Sequence, residues 1–175
     1  MPYDMDDIDL RHELVDVILL MLQSDFHRNF LIKDLERLVI PPLIHGKMSV
    51  IYSTDYTGMS ATYTPRGLYS YAFLDEKAEA GYMDGSRKLQ PEDWENGPKD
   101  GTLWIIDFIA PFNNARELVR QVQQELTDYY IDTYPKDGAW FRRHHTKGDH
   151  KRWSSGVLFQ IEERKKKNAH LRLVS

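Results

Sequence analysis

Three polar side chains in two short segments have types and spacing suited to proton transfer. Ser24 and His27 lie three residues apart in the stretch 24–30, among aromatic residues and directly after a predicted helix. Asp107 lies inside the apolar stretch 105–112, whose pattern is that of a buried strand. An ionised, unpaired carboxylate in such a strand is strongly unfavourable, so Asp107 needs a partner or a raised pKa. An aspartate and a histidine held in this way can form an acid–base pair.

His27 is the best candidate for a general base, because imidazole titrates near neutral pH and the side chain stands next to Arg28 and Asn29. Asp107 could orient the imidazole or act as a second proton acceptor. Ser24 would bond His27 if the chain turns there. The structural alternatives are a histidine that merely completes a helix end and a buried carboxylate that caps a loop or pairs with an arginine.

The composition narrows the classes of protein and of site. The 175 residues are 41% hydrophobic and 29% charged, which is typical of one soluble globular domain. There is no cysteine, which excludes disulfides, thiol nucleophiles and cysteine metal sites. His144, His145 and His150 lack the spacing of a zinc site, so we predict no metal and no cofactor. The apolar stretch 17–22 is too short to span a bilayer, and we expect a cytoplasmic protein.

The net charge of −4 conceals an uneven distribution. Residues 136–175 carry 11 Lys and Arg against 4 Asp and Glu, a net charge of +7, whereas residues 1–135 carry 12 against 23, a net charge of −11. A basic end on an acidic body suggests an anionic partner, either a protein or a nucleic acid. The alternative is a solvated terminus.

The elements that must position these side chains form an α+β pattern around one sheet. Helical spacing of apolar residues predicts helices at 9–23, at 31–39 and after Phe112. Pro41 and Pro42 should end the second helix, and Asn114 with Glu117 suggests a capping box at the start of the third. Residues rich in Val, Ile, Tyr and Thr predict a hairpin of 47–54 with 59–64, and further strands at 68–74, 102–109, 129–133 and 155–162. We expect 75–101 to be mostly loop with 89–94 as a packed anchor, and a basic loop to precede the last strand.

Two segments of the chain resemble a known family. Ser24-Asp25-Phe26-His27-Arg28-Asn29-Phe30 is similar to the Ser-x-x-His-Arg-Asn-aromatic motif of the RTX toxin-activating lysine acyltransferases. Glu92-Asp93-Trp94, Gly97 and Ile105-Ile106-Asp107-Phe108-Ile109-Ala110-Pro111-Phe112 resemble that family's later blocks, in the same order. The resemblance covers residues 10–130 and is loose beyond Tyr134.

The resemblance implies a single domain with the fold of the Gcn5-related N-acyltransferases, a mixed and strongly bent sheet flanked by helices. It implies transfer of a fatty acyl group from acyl carrier protein to internal lysine ε-amines of a protoxin. His27 and Asp107 match the family's catalytic histidine and aspartate, and Ser24 matches a nearby serine. The family also suggests a homodimer. The chain lacks the pyrophosphate loop typical of related enzymes that use coenzyme A.

The acidic acyl carrier protein gives the basic end a possible role. The side chains that could dock it by charge complementarity are Arg142, Arg143, Lys147, Lys151 and Arg152, with Arg28 and Asn29 beside His27 as further candidates. We expect an acidic disordered segment at 1–8, the acyltransferase domain at 9–163 and a basic tail at 164–175. Two alternatives remain: an acyltransferase of the same fold with a different acceptor, and a non-catalytic protein whose basic tail holds nucleic acid, for which no interleaved aromatic pattern is present.

Overall fold

The computed structural model describes residues 7–57, 60–130, 139–147 and 150–159, and the side chains of 10–53 and 63–130. The helices are α1 (Asp7–Leu22), α2 (Ile32–Leu38), α3 (Ile40–Ile44), α4 (Glu76–Asp84) and α5 (Ala115–Tyr130). The strands are β1 (Met48–Thr57), β2 (Ser60–Leu74), β3 (Thr102–Ile109), β4 (Ala139–Lys147) and β5 (His150–Phe159). Two short 3-10 turns lie at His27–Asn29 and Pro91–Trp94.

The five strands form one mixed sheet in the order β1-β2-β3-β4-β5. β1, β2 and β3 are antiparallel, β4 runs parallel to β3, and β5 returns antiparallel to β4. Parallel neighbours need a crossover connection, and α5 lies in the chain between β3 and β4. The expected α+β class with a single domain is therefore confirmed.

Helices cover both faces of the sheet, because alternate residues of a strand point to opposite sides. On one face α5 packs its buried stripe of Leu118, Val122 and Leu126 against a cluster that includes Tyr71 and Phe73. On the other face α1 and α3 cover one end of the sheet, and α4 with the second 3-10 turn covers the other end. The space between these two groups of helices is where the candidate site lies.

Two polar contacts join α1 to the edge strand β1. The Glu13 carboxylate accepts a hydrogen bond from the Val50 N–H, and burial raises the pKa of Glu13 above its ordinary range. The Tyr52 hydroxyl donates to the Asp16 carboxylate over 2.7 Å. These two contacts hold α1 against β1, the strand at one edge of the sheet.

The structure confirms one expected helix end and adds two helices that are not expected from the sequence. α2 ends at Leu38, before Pro41 and Pro42, and a second short helix, α3, begins at Ile40 with these prolines in its first turn, where a missing N–H breaks no intrahelical bond. The stretch 75–101 was expected to be mostly loop, yet it contains α4. The Asp75 side chain caps α4 by accepting from the Ala78 N–H at 2.7 Å, and Gly85 ends it with φ of +77°. The packed anchor at 89–94 is confirmed, since Leu89 and Trp94 are fully buried.

Further corrections concern strands. The expected separate strands 59–64 and 68–74 are one continuous strand, β2. The expected basic loop is strand β4, and β5 begins at His150 rather than near residue 155. α5 continues to Tyr130, so no strand starts at Tyr129.

The expected capping box at the start of α5 is wrong. The Asn114 side-chain amide donates to the Arg66 carbonyl at 3.2 Å, and its Oδ1 has no hydrogen-bond partner. Tertiary contact with β2 has taken the side chain away from the helix end.

Candidate active site

The structure brings Ser24, His27 and Asp107 into one hydrogen-bonded chain. The Ser24 hydroxyl lies 2.7 Å from His27 Nδ1, and His27 Nε2 lies 3.0 Å from Asp107 Oδ1. The His27 side chain is 10% exposed and that of Asp107 16% exposed. The imidazole is therefore held from both ring nitrogens in a largely dry setting that still reaches the surface.

A tight turn after α1 positions the histidine. The helix ends at Leu22, and the Arg28 N–H donates to the Ser24 carbonyl at 2.9 Å, which folds the chain back by one turn. Residues three apart in such a turn lie side by side, so the Ser24 hydroxyl meets the imidazole. The rings of Phe26 and Phe30 lie 5.0 and 5.1 Å from the His27 ring and fix its plane.

A β-bulge in β3 decides where Asp107 points. Asp107 pairs with Ser70 of β2, but the next pair joins Ile105 to Tyr71, so Ile106 is an extra residue without a partner on β2. If the residues of β3 alternated regularly from Ile105 onward, Asp107 would share the α5 face with Ile105. The packing confirms the shift, since Ile105 and Phe108 both contact the α5 cluster. The bulge thus turns Asp107 toward α1 and His27.

The hydrogen bonds assign the tautomer when Asp107 is ionised. A carboxylate only accepts, so His27 Nε2 carries the proton and donates it to Asp107. Nδ1 is then the basic nitrogen, and the Ser24 hydroxyl donates to it. The arrangement is a serine–histidine–aspartate relay in which the base faces Ser24 and the carboxylate holds the opposite nitrogen.

The remaining predicted residues do not join this chain of contacts. The exposed Arg28 lies 3.7 Å from the Asp25 carboxylate, and the Asn29 amide donates to the Asp25 carbonyl at 2.8 Å. The basic candidates lie on the β4–β5 hairpin, where only the backbone is described: these are Arg142, Arg143, Lys147, Lys151 and Arg152. Arg142 and Arg143 pair with Trp104 and Ile105 of β3, which places their backbone beside the strand that carries Asp107.

Two side chains around Asp107 were missed from the sequence. The buried Ser70 hydroxyl accepts the Asp107 N–H at 3.2 Å, next to the bulge. Burial raises the pKa of Tyr82 to about 12, with the charge of Asp107 adding to the rise and Arg37 opposing it. A polar residue in an apolar strand was the available signal for Ser70. Tyr82 had none, because α4 lies in a stretch expected to be loop.

The motif at residues 92–94 has a structural role, and its hydrogen bonds among the described residues do not reach His27 or Asp107. Asp93 accepts two hydrogen bonds from the Arg87 guanidinium, at 2.7 and 2.8 Å, and Trp94 is fully buried. The Lys47 ammonium donates to the carbonyls of Trp94 and Asn96. These contacts fasten the turn before β3 to the sheet.

The described residues contain no group of three or more His, Asp or Glu side chains that could hold a metal ion. Within the same ranges no helix is long and apolar enough to cross a membrane.

Comparison with known proteins gives a consistent set of relatives. The leukotoxin-activating lysine-acyltransferase of a Pasteurella haemolytica-like species is 29% identical over 69% of this chain and 66% of its own length. The RTX-II toxin-activating lysine-acyltransferase of Actinobacillus pleuropneumoniae is 28% identical over 61% of this chain and 60% of its own length. The protein-lysine myristoyltransferase of Kingella kingae is 29% identical over 66% of this chain and 63% of its own length.

In each case the match spans less than two thirds of the relative's length. The model of the RTX toxin acyltransferase family matches residues 7–154, a range that contains Ser24, His27 and Asp107. The chain belongs to the RTX toxin acyltransferase family.

Proposed function

We propose that this protein is a protein-lysine N-acyltransferase that moves a fatty acyl group from acyl carrier protein to internal lysine ε-amines of a protoxin. The observation that carries the proposal is the 3.0 Å contact between His27 Nε2 and Asp107 Oδ1, with Ser24 on the other ring nitrogen. The names of the relatives supply the reaction class, since they are lysine acyltransferases that activate toxins.

His27 acts as the general base of this reaction. A lysine amine is almost wholly protonated at pH 7 and must lose a proton before it can attack a thioester. His27 Nδ1 accepts that proton, directly or through the Ser24 hydroxyl, and Asp107 stabilises the imidazolium that forms. The C–N bond forms first and gives a tetrahedral intermediate; its collapse breaks the C–S bond, and the proton held by His27 passes to the departing thiolate.

The bulge in β3 is the candidate source of stabilisation for the tetrahedral intermediate. Its oxyanion needs backbone N–H donors fixed in place before the reaction begins. Ile106 breaks the ladder with β2 immediately beside Asp107, which makes it the residue to test for this role.

Two features support the donor. The relative from Kingella kingae is a myristoyltransferase, so its acyl group is fatty. The net charge of +7 on residues 136–175 suits an acidic carrier protein, with Arg142, Arg143, Lys147, Lys151 and Arg152 as its docking set. Arg28 remains a further candidate, since its side chain is 59% exposed close to His27. Such a donor, together with a sequence free of cysteine, fits a cytoplasmic reaction without a bound cofactor.

We also propose that the fold is that of the Gcn5-related N-acyltransferases. The three antiparallel strands β1, β2 and β3 are followed by α5 and a parallel β4, and β3 is bulged beside the candidate base. The pairing of β3 with β4 spans only Leu103–Ile105, although both strands continue beyond it. Strands that separate in this way leave room for an extended thioester arm next to Asp107.

The decisive experiment follows lysine acylation by mass spectrometry. The protein is incubated with acyl-loaded carrier protein and an RTX protoxin as the acceptor, and modified lysines are mapped. We expect acylation by the parent and by a His45→Ala control, and none by His27→Ala. Carrier thioester that stays intact with the parent protein would contradict the donor, and a His27→Ala protein as active as the parent would contradict the mechanism. Loss of thioester with transfer to another amine would favour a same-fold enzyme with a different acceptor.

A further inference from the structure

A patch of partly exposed apolar side chains begins at the β3 bulge, directly beside Asp107. The extra residue of a bulge interrupts the alternation of a strand, so Ile106 and Asp107 point to the same face of the sheet. Ile106 packs on that face with Tyr82 and Met83 of α4 and with Leu38 at the end of α2. All four of these apolar side chains are half-buried. We call Leu38, Tyr82, Met83 and Ile106 the bulge patch.

The bulge patch adjoins the candidate active site at two points. Ile106 precedes Asp107 in the chain, and the Tyr82 hydroxyl lies close enough to Asp107 for its charge to raise the pKa of the tyrosine further. The Tyr82 ring is fixed by an edge-on contact with the buried Trp104, with 5.4 Å between the ring centroids. Partly exposed apolar surface therefore extends from the reacting groups toward α4.

The other half of this face is closed by the packing of α1 and α3. The apolar side chains beneath these helices are buried, namely Val17, Leu20, Leu43, Val50 and Leu68. Because protein interiors are close-packed, a ligand cannot enter that half without displacing a helix. A substrate chain that starts at Asp107 has open apolar surface on the α4 side.

A second apolar surface near the site, formed by Phe26 and Phe30, lies on the side from which the amine arrives. His27 Nδ1 faces Ser24, and Phe26 follows that serine by two residues. In the proposed reaction the lysine amine delivers its proton to Nδ1, so the acceptor segment occupies this side. The acyl chain must leave the reacting carbonyl in a different direction.

The charged side chains around the bulge patch are paired, which favours an uncharged occupant. The Glu79 carboxylate accepts an indole N–H at 2.9 Å, and the Arg87 guanidinium donates twice to Asp93. Arg37 lies 3.8 Å from Asp34. An acidic carrier surface or a phosphate group would require basic groups that are not already engaged. A hydrocarbon chain needs none.

We propose that the bulge patch binds the fatty acyl chain of the donor and that Met83 sets the longest chain accepted. The inference rests on the proposed function, since the chain is that of the acyl thioester. Each methylene that moves from water to an apolar contact strengthens binding about fourfold. The number of methylenes that the patch can cover therefore decides which donors are used.

Met83 has this role because the apolar surface ends there. The next residue, Asp84, is the last of α4, and Gly85 terminates the helix with φ of +77°. Asp84, Gly85 and Ser86 are all exposed and carry no apolar side chain. A chain that extends beyond Met83 returns to water and gains nothing from its added length. The flexible thioether of methionine is also able to adjust to the end of a bound chain.

The test is a competition among carrier proteins loaded with saturated chains from octanoyl to stearoyl, with an RTX protoxin as acceptor. The chain lengths found on modified lysines by mass spectrometry give the relative kcat/KM of the donors, which does not depend on the overall rate. Met83→Trp should lower the use of the longest chains relative to octanoyl by about fourfold for each methylene that loses its contact. Met83→Ala should shift the preference toward longer chains.

The controls place changes outside the patch. Ile44→Trp, at a residue that is 62% exposed in α3, should leave the distribution of chain lengths unchanged. Phe26→Ala, on the amine side of His27, should alter the rate for all chains alike. Thermal unfolding shows which variants fold. Met83→Gln, which keeps the side-chain length and makes its end polar, replaces Met83→Trp if that variant does not fold, and it should disfavour the same long chains.

A photoreactive chain locates the binding surface without turnover. The carrier protein is loaded with a fatty acyl group that bears a diazirine at its terminal carbon, and the mixture with the parent protein is irradiated without acceptor. We expect adducts at Leu38, Tyr82 or Met83, and we expect palmitoyl-loaded carrier protein to suppress them.

Two results would overturn the proposal. One is a parental distribution of chain lengths in every folded Met83 variant. The other is cross-linking that avoids the bulge patch, including adducts confined to Phe26 and Phe30. A parent protein that transfers no acyl group to the protoxin would instead contradict the proposed function, and the cross-link would still decide where the acyl chain binds.

Discussion

His27 is bonded at both ring nitrogens, and this determines what each neighbour can do. Asp107 keeps the proton on Nε2, so Nδ1 remains the acceptor that faces Ser24. Asp107 is itself fixed through its backbone, whose N–H is bonded to the buried Ser70 hydroxyl. The chemistry at one residue therefore depends on a hydrogen bond on a neighbouring strand.

Replacing Ser70 with alanine tests that dependence. The substitution leaves the Asp107 N–H without its partner in a buried strand, which costs about 1–3 kcal/mol. We expect Ser70→Ala to lower the free energy of unfolding in urea by that amount and to lower the acylation rate. Ser86→Ala, at an exposed position, is the control. A Ser70→Ala protein with parental stability and activity would show that Asp107 is held by other means.

Lys47 gives a pH-dependent prediction. Burial lowers the pKa of Lys47 from 10.5 to about 8, so between these values the unfolded chain binds more protons than the folded one. Stability from this group therefore rises with pH in that window. We expect the stability advantage of the parent over Lys47→Met to grow from pH 8 to pH 10 in urea titrations. A constant difference would contradict the lowered pKa. Measurements stop at pH 10 because buried tyrosines, including Tyr130 with a pKa raised to about 12, act oppositely above it.

At the scale of elements, the β3 bulge and the turn after α1 assemble the site from opposite ends of the chain. The turn comes directly after the end of α1, and a helix end can be predicted well from the residues around it. The bulge does not, because Ile105, Ile106 and Phe108 are all good strand formers and any of them could be the extra residue. The pairing with β2 and the packing against α5 select Ile106.

Deleting Ile106 is the direct test of this element. The deletion joins Ile105 to Asp107 in a regular ladder that keeps Asp107 opposite Ser70 on the His27 face, so only the break in the ladder that could free N–H donors for the oxyanion is lost. We expect acylation to fall to the level of His27→Ala while circular dichroism still reports a folded α+β protein. Ile106→Val, which keeps the bulge, should retain activity. An active deletion variant would mean that the bulge does not supply donors to the oxyanion.

At the scale of the whole molecule, residues 1–135 are acidic and the β4–β5 hairpin is basic. Charge complementarity of this kind acts chiefly on the rate of encounter between partners and is weakened by salt. The hairpin joins the sheet beside β3, so a donor docked there can approach Asp107.

Neutralising the hairpin tests this arrangement. Changing Arg142, Arg143, Lys147, Lys151 and Arg152 to glutamine should weaken donor binding and flatten its dependence on salt, measured by titration calorimetry. The control removes three charges outside the hairpin, at Lys165, Lys166 and Lys167. Binding and salt dependence that match the parent would remove the hairpin from donor docking.

The sequence by itself determined the α+β class, the span of α1 to within two residues, the bounds of β3 and the membership of Ser24, His27 and Asp107 in one candidate site. The helix and strand bounds depend on local apolar periodicity, whereas the grouping of the three site residues depends on their resemblance to the family's two motifs. It did not determine α4 or the basic strand β4, because their polar sequences resemble loops and only caps and neighbouring strands make them regular.

Only the tertiary structure decided how the candidate residues meet. It showed that Asp107 contacts His27 directly, that Ile106 is the residue that turns it there, and that Asn114 bonds β2 instead of capping α5. Each of these outcomes is a choice between partners far apart in the chain. The physical reason is that register and side-chain direction are set by packing between elements, which a single sequence does not display.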